Sequence, residues 1–261
     1  MATKTEVNAQ LTDRLRELHL PAFRDCFSEE ADRARKASVS YERYLLELAD
    51  REAEARRQNR IERLLRQSKL PPGKTFETFD VKRLPAKVAS QVNVLAEGAF
   101  LDNAENVLAF GNPGSGKTHL LSAIGHELVY RGHRVLFTAC SLLVQDLLVA
   151  KRELKLAKVL KKLSKFDALV IDDIGYVQHD REEMEVLFTL LAERYERTSV
   201  MLTSNLPFSK WELIFKDPMT TAAAIDRLVH HSVILELNLS SYRLEHSKAS
   251  KKKSAPQEQD K

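Results

Sequence analysis

The stretch that decides the fold is Gly111-Asn112-Pro113-Gly114-Ser115-Gly116-Lys117-Thr118. It matches the pattern GxxxxGK[ST] in full, with an apolar run at 107–110 before it and a helix-forming run at 119–126 after it. The glycines let the backbone curl so that consecutive N–H groups point at a phosphate, and the helix adds its positive end. The loop therefore predicts an ATP site that includes His119. Lys117 is expected at the β- and γ-phosphates and Thr118 at Mg²⁺.

The chain around this loop alternates short apolar runs with segments long enough to be helices. The runs are four or five residues long and apolar at consecutive positions, as expected for strands buried on both faces. They lie at 107–110, 135–138, 168–171, 200–203 and 233–237. This pattern predicts an α/β fold, a three-layer sandwich with a five-stranded parallel sheet.

Polar residues follow two of these runs. Asp172 and Asp173 come at the end of 168–171, and Asn205 follows 200–203. The carboxyl ends of parallel strands share one sheet edge, so these side chains should meet the phosphate loop. We predict that Asp172 holds Mg²⁺, that Asp173 orients the attacking water, and that Asn205 bonds the water or the γ-phosphate. A single aspartate or Ser-Asn pair at a strand end also serves as a turn cap.

Arg227 lies near a helix end, before the last apolar run. Two interpretations stay open for it. It completes the site of a neighbouring subunit as an arginine finger, or it is a surface residue that pairs with Asp226 or places a positive charge at the helix end. His230 and His231 have no companion His or Cys cluster in the sequence, and we assign them no metal.

The N-terminal part has a different character. Residues 10–69 carry helical periodicity, with Ser40 placed to cap a long helix. The sequence Leu70-Pro71-Pro72-Gly73 ends any helix that reaches it. We therefore predict a helical DNA- or partner-binding domain at 1–70, an ATPase domain at 71–245 and a disordered basic tail at 246–261.

Positive charge is concentrated in segments, although the net charge of the 261 residues is only +4. Five lysines between residues 151 and 165 recur at spacings of 4, 3, 4 and 3, which predicts one helical face. They are Lys151, Lys155, Lys158, Lys162 and Lys165. A face of nearly one sign favours DNA contact, and the alternative is the solvated side of an amphipathic helix. Arg56, Arg57 and Arg60 form a second candidate DNA contact, in a segment that also carries Glu.

The sequence shows no sign of export or of a membrane span. No apolar run approaches the roughly 20 residues that cross a bilayer, and the N-terminal residues lack the apolar segment of a signal peptide. Cys26 and Cys140 lie far apart without CxxC spacing, which indicates a reducing compartment. We expect a cytoplasmic protein without a membrane partner.

The order and spacing of these motifs resemble the IstB-like AAA+ ATPases over nearly the whole chain. The resemblance is carried by Ile171-Asp-Asp-Ile-Gly175 and Ala224-Ile-Asp-Arg-Leu-Val-His-His231. Members of that family are encoded beside the transposase of bacterial insertion sequences and are related to DnaC helicase loaders and DnaA initiators. By this resemblance the loop, Asp172, Asp173, Asn205 and Arg227 are the Walker A, Walker B, sensor and arginine-finger groups. Phe76 and Phe79 would lie near adenine.

The resemblance implies a helper ATPase that forms a homo-oligomer with ATP on duplex DNA, remodels the target and stimulates its transposase. Two alternatives remain at this stage. A DnaC-like helicase loader would share the chemistry and grip a helicase through its N-domain. A small-molecule P-loop kinase would need an arginine-rich lid and an acceptor pocket, neither of which the sequence indicates.

Overall fold

The computed structural model describes residues 3–175, 181–215 and 217–242. These described residues form ten helices: α1 (Lys4–Glu17), α2 (Pro21–Lys36), α3 (Tyr41–Ser68), α4 (Ala86–Glu97), α5 (Lys117–Tyr130), α6 (Cys140–Arg152), α7 (Leu156–Leu163), α8 (Arg181–Arg194), α9 (Glu212–Phe215) and α10 (Pro218–Val229). They also form five strands: β1 (Asn106–Gly111), β2 (Val135–Ala139), β3 (Ala168–Asp172), β4 (Ser199–Ser204) and β5 (Ser232–Leu237). Within the described ranges no helix is long and apolar enough to cross a membrane. The predicted tail at 246–261 lies outside the described residues.

Two of the N-terminal helices, α1 and α3, begin at residues whose side chains cap them. Thr3 and Glu6 form a reciprocal capping box at α1. Ser40 Oγ accepts the backbone N–H of Arg43 at 3.3 Å, which confirms the predicted cap of α3. The three helices share a small apolar core made by Leu15, Phe27 and Leu48.

The chain divides into two compact units, Met1–Arg63 and Leu64–Lys261. The division falls inside α3, ahead of the Pro-Pro-Gly turn where the sequence placed the boundary between 1–70 and 71–245. The physical reason is that α3 carries Leu64 near its C-terminal end, where it is buried with Leu70 in the core of the second unit. The boundary between the compact units and the C-terminal end of α3 therefore fall at different residues of this chain.

The five strands lie parallel in one sheet, in the order β2-β3-β4-β1-β5. In the centre, Val107 of β1 lies opposite Met201 of β4 on one side and Val233 of β5 on the other. Parallel strands bring all their carboxyl ends to the same edge. The predicted five-stranded parallel sheet is confirmed.

Helices cover both faces of the sheet. Leu108 and Leu202 are buried in one core with side chains of α6, α8 and α10. Their neighbours Val107 and Met201 are buried in the other core, with α4 and α5. Successive strand residues thus enter opposite cores, which explains why the strands are apolar at consecutive positions. Each such side chain contributes about 1.5–3 kcal/mol by burial. This is the three-layer arrangement that the sequence predicts.

A buried arginine ties several of these elements together. Arg194 donates from Nη1 to the carbonyl oxygen of Leu163 at 3.0 Å. It donates from Nη2 to the carbonyl oxygens of Phe166 at 3.1 Å and Ser199 at 2.8 Å. Burial lowers the pKa of Arg194 to about 10, so the guanidinium keeps its charge at neutral pH. The side chain fixes the end of α7 and the loop before β3 against the start of β4.

Candidate nucleotide site

The loop between β1 and α5 has the backbone that its sequence motif predicts. β1 ends at Gly111, and α5 begins at Lys117, directly after Gly116. Gly114 and Gly116 have φ values of 80° and 98°, in the left-handed region that favours glycine. A side chain at Gly111 would overlap the carbonyl oxygen of Leu237. The 14-residue α5 directs the positive end of its dipole at this loop.

The loop lysine is held inside the loop. Lys117 is 6% exposed, and its Nζ donates to the carbonyl oxygens of Gly111 at 2.8 Å and Asn112 at 3.0 Å. A buried ammonium group at the start of a helix concentrates positive charge in one place. The loop is therefore suited to an anionic ligand such as a phosphate chain.

One threonine organises the two acids after β3. Thr203 of β4 donates its hydroxyl to Asp172 Oδ1 at 2.7 Å and accepts the backbone N–H of Asp173 at 2.8 Å. Thr203 is fully buried, and Asp173 has a φ of 63°, a conformation that Asp tolerates better than most residues. Sequence reasoning gave Thr203 no role. The sequence feature that could have indicated this role is a threonine near the end of a buried strand, two residues before Asn205.

The cavity at this edge of the sheet has a volume of about 280 Å³. Loop residues 113–119 line it together with Asp173 and Asn205, so the structure brings these predicted site residues together. Among the described residues, its walls do not include five other predicted positions: Phe76, Gly111, Asn112, Asp172 and Arg227. The remaining walls come from Lys74, Thr78, Phe79, Asp80, Arg83, Leu239 and Tyr242.

His119 connects α5 to one of these walls. Its Nε2 lies 3.1 Å from the carbonyl oxygen of Thr75 and 3.1 Å from Thr78 Oγ1. Because a carbonyl oxygen only accepts, Nε2 carries the hydrogen in this bond. Burial lowers the pKa of His119, although the bond to Thr75 acts in the opposite direction. Phe79 packs edge-on against the imidazole with 5.1 Å between ring centroids. His119 therefore positions the 74–80 wall of the cavity.

Arg227 lies away from the cavity of its own chain. It belongs to α10, and its guanidinium carbon is 4.5 Å from the centroid of the Phe188 ring in α8. Its Nη1 is buried and has no hydrogen-bond partner within the described part of the chain. The ion pairs of the described residues do not include one between Arg227 and Asp226, and Arg227 is the basic residue in the last turn of α10.

Comparison with known proteins agrees with this geometry. The model of the family described as IstB-like ATP binding protein matches residues 13–250. The chain belongs to this family. An insertion-sequence ATP-binding protein of Sinorhizobium fredii is 45% identical over 236 residues, which cover 90% of this chain and 79% of that protein. The ATP-binding protein of insertion sequence IS5376 from Geobacillus stearothermophilus is 37% identical over 240 residues, 92% of this chain and 96% of that one.

Solved structures show the fold of this IstB-like protein. DnaA from Aquifex aeolicus bound to AMPPCP matches with a TM-score of 0.56 and 21% identity, over 74% of this chain and 58% of that one. The DnaC helicase loader matches with a TM-score of 0.50 and 19% identity, over 57% and 88%. The fold is therefore the AAA+ P-loop fold. Together with the family, it makes this chain an ATPase of the IstB-like ATP-binding family.

The predicted lysine face of this IstB-like ATPase is not one continuous helix surface. α6 and α7 are separate helices, and Leu154 between them has a φ of 58°. The prediction of one helical face from Lys151 to Lys165 is wrong, because a single left-handed residue redirects the chain and breaks the helical period. The apolar side of α7 packs against the core as predicted, through Leu156, Val159, Leu160 and Leu163.

The lysines also differ in their partners. Lys151 pairs with Glu185 at 3.0 Å, and Lys155 pairs with Glu153 at 2.8 Å. The exposed lysines further along have no carboxylate partner among the described residues: Lys158, Lys161, Lys162 and Lys165. Uncompensated positive charge is thus gathered on and just after α7.

The arginines of α3 take part in ion pairs of the N-terminal unit. Arg56 donates to Glu52 Oε1 at 2.8 Å and to the carbonyl oxygen of His19 at 2.7 Å. The buried Glu52 also accepts the backbone N–H of Ala22 at 2.8 Å, at the start of α2. Arg56 therefore neutralises a carboxylate that caps α2. Arg57 pairs with Glu54 at 3.0 Å, and Arg60 is exposed.

The adjacent histidines have a companion that the sequence did not indicate. Ligand atoms of Glu196, His230 and His231 lie within 4.8 Å of one another, and all three residues are exposed. The hydroxyl of Tyr195 lies 3.1 Å from His230 Nδ1. Exposed carboxylates and imidazoles often lie this close without an ion, and we assign no metal to this group.

Proposed function

We propose that this chain is the helper ATPase of a bacterial insertion sequence, which assembles with ATP on duplex DNA, remodels target DNA and stimulates its transposase. The main observation behind this proposal is that the phosphate loop, Asp173 and Asn205 line the same cavity. Three relatives that align with about nine tenths of this chain are named as insertion-sequence ATP-binding proteins. Both findings support an ATP-driven role in transposition.

The residues around the cavity suit the hydrolysis of ATP. Lys117 would bind the β- and γ-phosphates. Thr118 and Asp172 offer a hydroxyl and a carboxylate oxygen, which are donors that Mg²⁺ prefers, so this donor set fits that ion. Asp173 would orient the attacking water, and Asn205 would bond the water or the γ-phosphate.

The division of roles between the acids can be tested by Asp173→Asn. Asn tolerates the left-handed backbone at this position, and the backbone N–H keeps its bond to Thr203. We expect ATP binding to persist and turnover to fall by roughly 10²-fold or more. Asp102→Asn makes the same chemical change on an exposed turn and is the control for Asp173→Asn. Lys117→Ala, by contrast, should abolish ATP binding. Wild-type turnover in Asp173→Asn would show that Asp173 does not orient the water.

Arg227 is proposed to complete the site of a neighbouring subunit, because it does not line its own cavity. Arg227→Ala should keep ATP affinity and lose DNA-stimulated turnover by up to about 10³-fold. Mixing it with Lys117→Ala subunits should restore activity, since each variant supplies the half-site that the other lacks. Arg197→Ala, an exposed arginine paired with Glu193, is the control. If no mixing ratio restores activity, Arg227 is structural and its contact is the Phe188 ring.

We propose α7 as the duplex contact. Changing Lys158, Lys161 and Lys162 to Ala should weaken binding to all duplex sequences alike. It should also shallow the slope of log affinity against log salt by up to about three, since each phosphate contact releases about one counterion. The helix should persist, because its apolar side faces the core and Ala favours helix. The matched control changes the ion-paired residues Lys151, Arg152 and Lys155 to Ala.

The same assays separate this function from its alternatives. An unchanged salt slope in the α7 variant, with a shallower slope in an Arg57→Ala, Arg60→Ala variant, would place the contact on α3. Hydrolysis stimulated by duplex DNA supports the transposition role. Stimulation by single-stranded DNA would favour a helicase loader, and indifference to DNA would favour a small-molecule kinase.

A further inference from the structure

The chain after β5 turns back onto the phosphate loop. We call residues 238–242 the β5 strap. The backbone N–H of Tyr242 donates to the carbonyl oxygen of Gly114 at 3.1 Å. A side chain at Gly114 would overlap the hydroxyl of Ser241, so the strap needs glycine there in addition to the φ of 80°. The strap and the loop that holds the phosphates are thus in direct backbone contact.

Arg83 holds the strap from a second segment. Its Nη2 donates to the carbonyl oxygen of Ser240 at 3.1 Å and to Ser240 Oγ at 3.3 Å. Its guanidinium carbon lies 5.2 Å from the centroid of the Tyr242 ring, which is a cation–π contact. Arg83, Leu239 and Tyr242 all line the nucleotide cavity. The hydrogen bonds from Arg83 to Ser240 and its contact with the Tyr242 ring therefore hold the Tyr242 ring and the Arg83 guanidinium at one wall of the cavity.

The order of the strands decides which part of a nucleotide meets this wall. β1 carries the phosphate loop, and β4 and β3, which lead to Asn205 and Asp173, lie on one side of it. β5 and its strap lie on the other side. If the reacting phosphate lies beside Asp173 and Asn205, as the proposed function requires, the base and ribose extend toward the strap.

The chemistry of the wall suits a nucleoside. Tyr242 offers a flat aromatic face, Arg83 a planar donor, Asp80 a carboxylate acceptor and Leu239 an apolar surface. Aromatic and guanidinium planes stack on nucleobases, and a few polar groups in an otherwise apolar wall fix orientation. We propose that Tyr242 and Arg83 form the nucleoside subsite of the ATP pocket. This proposal rests on the proposed placement of the reacting phosphate.

The test uses two probes that share the phosphate chain, Mg-ATP and Mg-tripolyphosphate, in titration calorimetry on the full chain. Tyr242→Ala should weaken ATP binding about tenfold, as loss of one stacking contact does, and leave tripolyphosphate binding within about twofold. Tyr242→Phe should bind both probes like the wild type, and Arg83→Ala should follow Tyr242→Ala. Tyr130→Ala is the matched control, because Tyr130 is 48% exposed against 45% for Tyr242 and lies outside the cavity walls formed by the described residues.

Each outcome has a definite meaning. Equal loss of ATP and tripolyphosphate in Tyr242→Ala would show that the strap only supports the phosphate loop and would overturn the subsite. Unchanged binding of both probes would overturn it as well. If the Ala variant does not fold, Tyr242→Leu fills the site without an aromatic ring and gives the same readout. A failure of the proposed phosphate site can be distinguished from a failure of the nucleoside subsite. If the phosphate site is wrong, Lys117→Ala should still bind both Mg-ATP and Mg-tripolyphosphate.

Discussion

The bond between Thr203 and the two acids offers the sharpest test of the site. Thr203→Val replaces a hydroxyl by a methyl group of similar size in a fully buried side chain. It removes the 2.7 Å bond to Asp172 Oδ1 and the 2.8 Å bond from the backbone N–H of Asp173. Packing is preserved, so the lost hydrogen bonds dominate the effect.

The size of the effect follows from these two bonds. A hydrogen bond to a charged acceptor contributes about 1.5–3 kcal/mol, and one between neutral groups contributes about 1 kcal/mol. Asp172 is only half-buried and regains some solvent contact, so we expect a loss of about 2–3 kcal/mol in the free energy of unfolding. That loss corresponds to a melting temperature about 5–10 °C lower in a domain of this size. Misplacement of the acids should lower turnover about ten- to hundredfold, at 1.4 kcal/mol per factor of ten.

ATP affinity should change by less than about twofold, because the carbonyl oxygens that hold Lys117 belong to the loop and stay in place. The assays are steady-state hydrolysis, binding of a fluorescent ATP analogue and thermal unfolding. Thr203→Ser keeps the hydroxyl and should restore turnover. Thr138→Val is the matched control, since within the described part of the chain its hydroxyl bonds only the carbonyl of Ala139 on β2. Wild-type turnover in Thr203→Val, or equal loss in Thr203→Ser, would refute this role.

Three further predictions concern stability and reactivity. Arg194→Met removes the donor of three carbonyl oxygens, two of them in buried bonds and one in a part-buried bond, and should cost more than about 3 kcal/mol in denaturant unfolding. The exposed Arg197→Met should cost less than about 0.5 kcal/mol. Gly114→Ala should weaken ATP binding and lower the melting temperature because its Cβ would overlap Ser241, whereas Gly73→Ala, with nothing within 4 Å, should leave both unchanged or slightly raise stability. Burial raises the pKa of Cys140 to about 12, so we expect iodoacetamide at pH 8 to label it only on unfolding, as mass spectrometry can show. Because the folded pKa lies above the unfolded value of about 8.5, the stability contributed by this thiol is present below that pH and is lost as pH rises toward 12.

The sheet, the phosphate loop and the acids could be predicted from the sequence, because short-range patterns encode them. The loop needs left-handed glycines and a lysine within eight consecutive positions, 111–118. A parallel strand buried on both faces must be apolar at consecutive positions, whichever strands lie beside it. A polar residue directly after such a strand reaches the carboxyl edge of the sheet, as Asp173 and Asn205 do.

The tertiary structure alone decided which distant side chains share a contact. Helical spacing predicted that the lysines share one helical face. The structure has two helices instead, because Leu154 between them has a φ of 58°. The spacing of residue types in a sequence gives no information about a single backbone angle of this kind. Thr203 acts on Asp172 because β4 lies beside β3, and Arg83 meets Tyr242 because the chain after β5 returns to the loop. Such contacts join residues far apart in sequence, and their geometry is set by strand order and by the path of connecting segments. Local propensity carries no information about either, so these parts of the site became visible only in the folded chain.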